Sequence, residues 1–104
     1  MKKAVVLIKD PKQQYEGLRT SLGLLLESVE VKMIVLHHEV AALAAKDEDE
    51  EAFEEYFDNM GFIDEMGGSR FSNVPANAEK HGFQLVSLEE VAQKLRDHEI
   101  VIPF

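Results

Sequence analysis

Val31-Lys32-Met33-Ile34-Val35-Leu36-His37-His38-Glu39 is a β-branched and aliphatic run with one lysine near its start, and it turns polar abruptly at His37. A half-exposed strand alternates apolar and polar residues. One buried on both faces does not, so this run predicts a strand in a parallel sheet covered by helices on both sides. In open α/β sheets, ligand sites gather just beyond the carboxyl ends of such strands, which puts His37, His38 and Glu39 where a crevice is expected. That is a location rather than an activity.

Upstream, Ala4-Val5-Val6-Leu7-Ile8 is a second continuous apolar run, stopped by the turn residues Lys9-Asp10-Pro11. Between the two runs, Leu18, Leu22, Leu25, Leu26 and Val29 recur at helical spacing over Gln13 to Val29, with Tyr15 extending the same side. A strand, helix, strand order with a crossover of this length predicts parallel neighbouring strands and a right-handed connection. Lys9 and Asp10 then share a sheet edge with the His-His-Glu triplet.

Downstream, Val40 to Ala45 reads as a short helix. From Asp47 to Asp58, eight of twelve positions are acidic, which predicts a solvated loop and helix face, since acids near a helix N-terminus also complement its dipole. The run lacks the central glycine and terminal glutamate of a calcium-binding EF-hand loop. From Glu50 a helix carries Phe53, Tyr56, Phe57, Met60 and Ile63 on one face, a stripe that covers the sheet or in part another subunit. Gly67-Gly68 ends it. Ser69 to Asn73 is a short, rather polar strand. Pro75 opens a brief helix over Ala76 to His81, with Asn73 or a neighbour as its cap and Gly82 as its terminator. Phe83 to Val86 is a fourth strand. Ser87-Leu88-Glu89-Glu90 is a capping box opening a helix whose Leu88, Val91, Ala92 and Leu95 point inward, and Ile100 to Phe104 is a closing strand. The predicted fold class is α/β: a three-layer α/β/α sandwich with about five mostly parallel strands, in one domain spanning residues 1–104, without repeats or linkers.

The chain has 104 residues and a formal charge of −9, from 11 basic and 20 acidic residues. A domain of this size builds one core and gains from subunit contacts. Its negative field repels phosphate backbones and anionic membrane surfaces, which argues against nucleic acid and membrane as partners. No stretch approaches the roughly 20 apolar residues of a spanning helix, and Met1-Lys2-Lys3 leads into a run too short for a signal-peptide core, so a cytoplasmic location is expected. There is no cysteine. That removes disulfides, thiolate nucleophiles, persulfide carriage and Cys-ligated zinc together.

The remaining chemistry is sparse. Clustered glycines after a strand, needed for backbone to approach phosphate, are missing at Lys9-Asp10-Pro11, and no Gly-x-Ser-x-Gly elbow is present. His37 and His38 are the best titratable groups. Adjacent residues on an extended chain point to opposite faces, so they do not jointly chelate a metal unless the strand has already broken. His81 and His98, at helix ends, read as structural. The residues specify neither a cofactor nor a metal, and none is assigned a catalytic role.

Several segments carry a resemblance to a known family. These are the Lys3 to Ile8 strand with its helix, Met33-Ile34-Val35-Leu36 with the polar turn into Glu39-Val40, Ala76-Asn77-Ala78-Glu79-Lys80-His81-Gly82-Phe83, and the closing Asp97-His98-Glu99-Ile100-Val101-Ile102-Pro103-Phe104. In order and spacing the chain resembles the DsrE/DsrF-like (DsrE/F/H, TusBCD-like) proteins of sulfur relay systems over essentially its whole length. The resemblance implies an α/β/α sandwich assembling as a homo-oligomer, commonly a trimer or hexamer, or as a hetero-oligomer with other DsrE-like subunits. It also implies a persulfide-carrying cysteine in the loop before the small-residue helix, which falls within Ser72 to Val74 here. No thiol stands there, and a hydroxyl or amide cannot carry sulfane sulfur as a thiolate does.

Three functions follow as expectations. The first is a non-catalytic DsrE/F-like subunit for assembly or interaction, linked to intracellular sulfur metabolism and not itself a persulfide carrier. The second is a small-ligand or metal-binding module using a strand-end crevice of Lys9, Asp10, His37, His38, Glu39, Ser72, Asn73 and Val74. The third is an enzyme with histidine acid/base chemistry.

Overall fold

The computed structural model describes residues 3–38, 40 and 60–104. Five strands, β1 (Lys3–Ile8), β2 (Glu30–Val35), β3 (Ser69–Ser72), β4 (Gln84–Leu85) and β5 (Ile100–Pro103), form one sheet in the order β4-β3-β2-β1-β5, and every neighbouring pair is parallel. Helices α1 (Gln14–Leu26), α2 (Pro75–His81) and α3 (Leu88–Asp97) lie in the connections, and 60–65 is also helical. The protein is a three-layer α/β/α sandwich. Glu39, the acidic run from Asp47 to Asp58, the Phe53, Tyr56 and Phe57 part of the aromatic stripe, and all of the Val40 to Ala45 helix except the buried Val40 lie outside the described residues.

Strand order accounts for the layers. The chain steps from β1 through β4 in one direction and then crosses back to place β5 beside β1. Right-handed connections running in opposite directions put their helices on opposite faces. On one face Leu18 of α1 and Met60 and Ile63 of the 60–65 helix bury against Val6, Ile8, Val31, Met33 and Val35. On the other, Val91 and Leu95 of α3 cover Val5, Leu7, Ile34, Leu36 and Phe71. Successive residues of β1 thus serve two cores, which is why its sequence does not alternate.

In α1, Leu18 is buried and Leu22, Leu25 and Val29 pack onto the core, but Leu26 is 74% exposed and does not belong to the stripe. It lies about 100° round the helix from Leu25. The inward face also includes Gln14, Gly17 and Ser21. A Cβ on Gly17 would collide with the Ile8 side chain, so the absence of a side chain there lets α1 sit close on β1. The helix ends in a Schellman turn: Val29 N–H donates to Leu24 C=O (3.0 Å) and Ser28 N–H to Leu25 C=O (3.1 Å), with Ser28 at φ 65°. Glycine tolerates that conformation without Cβ strain, so Ser28→Gly is expected to raise stability by about 0.5–1 kcal/mol. A urea midpoint at or below that of the parent would contradict it.

The 60–65 helix closes the same way, Gly68 N–H donating to Ile63 C=O and Gly67 N–H to Asp64 C=O, with Gly67 at φ 87°. At α3 the capping box is complete: Ser87 Oγ accepts from Glu90 N–H and Glu90 Oε1 accepts from Ser87 N–H. Leu88, expected to point inward, is 56% exposed. It begins the helix beside β4, whose two residues are themselves exposed, and nothing there is broad enough to bury it. β4 is also shorter than Phe83 to Val86: Phe83 and Val86 are buried at its two ends, and Val86 N–H still donates to Ser72 C=O (3.0 Å).

Candidate functional site

Three adjacent parallel strands, β1, β2 and β3, deliver Lys9 and Asp10, His37 and His38, and Ser72 to Val74 to one edge of the sheet. β2 stops at Val35 instead of running to Glu39. After Leu36, whose N–H donates to Ile8 C=O (2.9 Å), His37 adopts φ 68°. The chain leaves the sheet there, so neither histidine is a strand residue.

Asn73 holds this turn. Its Oδ1 accepts the His37 backbone N–H (2.9 Å) and its Nδ2 lies 3.1 Å from His37 Nδ1. An amide nitrogen only donates, so Nδ1 is the accepting nitrogen and the proton of neutral His37 sits on Nε2. Asn73 was a candidate cap for α2. Val74 takes that position without a side-chain bond, because the Asn73 amide is committed to His37. Its neighbour Ser72 is fully buried, and Ser72 Oγ accepts from Val74 N–H (3.1 Å) and Asn77 Nδ2 (3.0 Å). Asn77 Nδ2 also donates to His38 C=O (2.9 Å), while Asn77 Oδ1 accepts from the buried Val40 N–H (3.0 Å). The buried Asn77 therefore ties β3, α2 and the turn after β2 together.

Lys9 and Asp10 join mainly through the backbone. Both N–H groups donate to Phe104 C=O (2.7 and 3.1 Å), and Phe104 N–H donates to Leu7 C=O (2.7 Å). Asp10 Oδ1 accepts from Lys12 N–H (2.9 Å), an Asx turn opening the Pro11–Gln13 3₁₀ segment. β1 and β5 flank the point at which strand order reverses, where this class of sheet usually receives ligands. Here the Phe104 backbone fills it.

His38 is half-buried, and its Nδ1 lies 3.0 Å from Leu36 C=O. A carbonyl only accepts, so Nδ1 carries the proton and Nε2 is a buried acceptor without a partner among the described residues. Gln14 Oε1, at the start of α1, is a second such acceptor. Burial pushes the His38 pKa below 6.5, and the nearby His37 adds to this, against the Leu36 carbonyl and Asp10, which favour the charged form. With the folded value depressed, the unfolded chain binds the extra proton, so this contribution is complete above the unfolded pKa and is lost as pH falls through it. Between about pH 8 and 5 the urea midpoint should fall, and His38→Gln should flatten part of that slope. Parallel curves for the two proteins would refute the assignment.

The strand-end residues thus divide into two groups. His37 and Asn73 are directly bonded, and Ser72, Val74 and the His38 backbone meet through Asn77 or one another. Asp10 reaches His38 only electrostatically, and the exposed Lys9 bonds through its main chain to Phe104. Among the described residues no three His, Asp or Glu side chains could hold a metal, and no helix is long and apolar enough to cross a membrane. A groove of about 440 Å³ lies at the opposite edge, lined by Leu25, Ser28, Val29, Glu30, Met66 and Gly67.

Two organising residues escaped the sequence reading. Asn77 carries a weak signal, as a poor helix former between two alanines in a short helix. Arg70 carries less. It is buried, its Nε and Nη2 grip Asp64 Oδ1 and Oδ2 (3.0 and 2.7 Å), its Nη1 donates to His81 C=O (2.7 Å), and its guanidinium stands 4.9 Å from the centre of the Phe83 ring. No family model matches the chain, nor does any curated protein or solved structure.

Proposed function

We propose that this protein is a non-catalytic subunit of the DsrE/F-like kind, acting through assembly or interaction with other proteins, in intracellular sulfur metabolism, and not as a carrier of sulfur. The observation that supports this most directly is the internal saturation of the strand-end edge. In the loop where the resemblance puts a persulfide cysteine, Ser72 Oγ already accepts two hydrogen bonds and the Asn73 amide is engaged with His37. At the reversal point, the Phe104 carbonyl accepts from Lys9 and Asp10. Polar groups placed to meet a ligand are instead holding loops together, and none is a thiolate.

Exposed apolar side chains add a second line of support. Leu85, in the edge strand β4, and Leu88, just after it, are each 56% exposed, and the outer side of β4 has no partner strand among the described residues. Grouped apolar exposure beside an open sheet edge marks a contact surface more often than isolated exposure does.

Native mass spectrometry of the full chain, purified gently from its own host, tests the reading. A closed oligomer, or a complex with a second DsrE-like subunit that bears a cysteine, is the expected result. A bare monomer with no companion subunit overturns it. A stoichiometric small molecule or metal that disappears in a His37→Ala, His38→Ala variant would favour the binding-module reading instead, which the buried Nε2 of His38, without a partner among the described residues, keeps open.

A further inference from the structure

The groove at the edge opposite the histidines is built from the ends of two helices. Leu25, Ser28, Val29 and Glu30 come from the end of α1 and its exit, and Met66 and Gly67 from the Schellman turn after the 60–65 helix. Leu25 and Val29 supply apolar wall while packing onto the core, and Met66 is 38% exposed. Both helices end at the groove, so the negative ends of two helix dipoles converge there. Schellman bonds occupy the carbonyls of Leu24, Leu25, Ile63 and Asp64, and the carbonyls that follow them lie past the reach of intrahelical bonding. Glu30 lines the groove, and the exposed Glu27 and Glu65 flank it. Lys3 stands opposite Glu30 in the β1–β2 register.

We propose that this groove docks a basic segment of a partner protein, one that inserts an apolar side chain between Leu25, Val29 and Met66 and sets flanking Lys or Arg against Glu27, Glu30, Glu65 and the helix-end carbonyls. The apolar walls supply burial. Three carboxylates and two helix C-termini select the sign of the flanks. The proposal rests on the interaction reading above and assigns it a surface.

The probe is a synthetic peptide with a Leu anchor flanked by Arg and Lys, titrated into isotope-labelled full chain with amide shifts as the readout. A peptide with Glu in place of each cation is the control. Expected are shifts confined to Leu25–Glu30 and 66–67, no binding of the acidic control, and at least about tenfold weaker binding by Glu30→Lys and by Met66→Ser. Thermal melts of both variants establish that they fold. Shifts centred on the acidic run from Asp47 to Asp58 would mean non-specific charge attraction, and an affinity unchanged in both variants would exclude the groove. Either overturns the proposal. Native mass spectra of the same samples separate the two claims: a homo-oligomer that falls apart in the groove variants would make a second copy the occupant and also overturn it. An intact oligomer with no peptide binding would remove this groove alone, leaving the interaction reading in place.

Discussion

Replacing Asn77 by alanine is expected to lower the unfolding free energy by about 3 kcal/mol, although the residue is exchanged for a better helix former. Two groups lose their partner at once, the Val40 N–H and the His38 carbonyl, and the Ser72 hydroxyl is left with the Val74 N–H alone. Asn77, Val40 and Ser72 are all fully buried, so water does not readily replace the lost bonds. Each stranded group costs about 1–3 kcal/mol, against a propensity gain of about half a kcal/mol. Asn77→Asp distinguishes bonding from packing, since it keeps the volume and the acceptor for Val40 but removes both donors. It should be no more stable than Asn77→Ala. Urea unfolding gives the magnitude, and exchange of the Val40 amide locates it. A loss under about 1 kcal/mol with Val40 still protected would show that the turn after β2 is held by something else.

The layers of this fold were legible because they depend on periodicity. Val5 with Leu7 and Val6 with Ile8 enter separate cores, and the unbroken apolar run of β1 is what such a strand requires. The Ser87 to Glu90 capping box was equally plain, because all of its partners lie within four residues. The strand-end edge was legible in location only. Which residues gather there follows from parallel pairing, but their engagements depend on bonds between residues 36 to 39 apart in sequence. Asn73 has the composition of a helix cap and acts as a clip on His37. Leu26 and Leu88 show the same limit from the apolar side: helical spacing brings each near the buried stripe, yet both remain exposed.

Arg70 is the clearest case of long-range context, and Arg70→Ala is expected to cost about 3–5 kcal/mol, whereas Asp64→Ala costs under about 1 kcal/mol. The two halves of one ion pair should differ because their surroundings do. The Arg70 side chain is 8% exposed and the Asp64 side chain 51%. Freed of its partner, Asp64 returns to water, and the screened pair itself contributes little. Removing the guanidinium does more: the His81 carbonyl at the end of α2 loses a 2.7 Å charged donor, the Phe83 ring loses its cation, and a hole opens beside Met60. The geometry also constrains Gly82, which caps α2 at φ 73° and whose Cβ, if present, would stand 3.2 Å from Arg70 Nη2. Asp64→Ala does leave a buried cation with one carboxylate fewer, but Arg70 retains the carbonyl, the helix-end dipole and the ring. Arg70→Met separates shape from charge: it refills most of the hole and should recover about half of the loss, the remainder being the unsatisfied carbonyl. Equal losses in Arg70→Ala and Asp64→Ala would mean that the ion pair itself dominates. The relative burial of its two ends would then be the wrong guide to which residue matters.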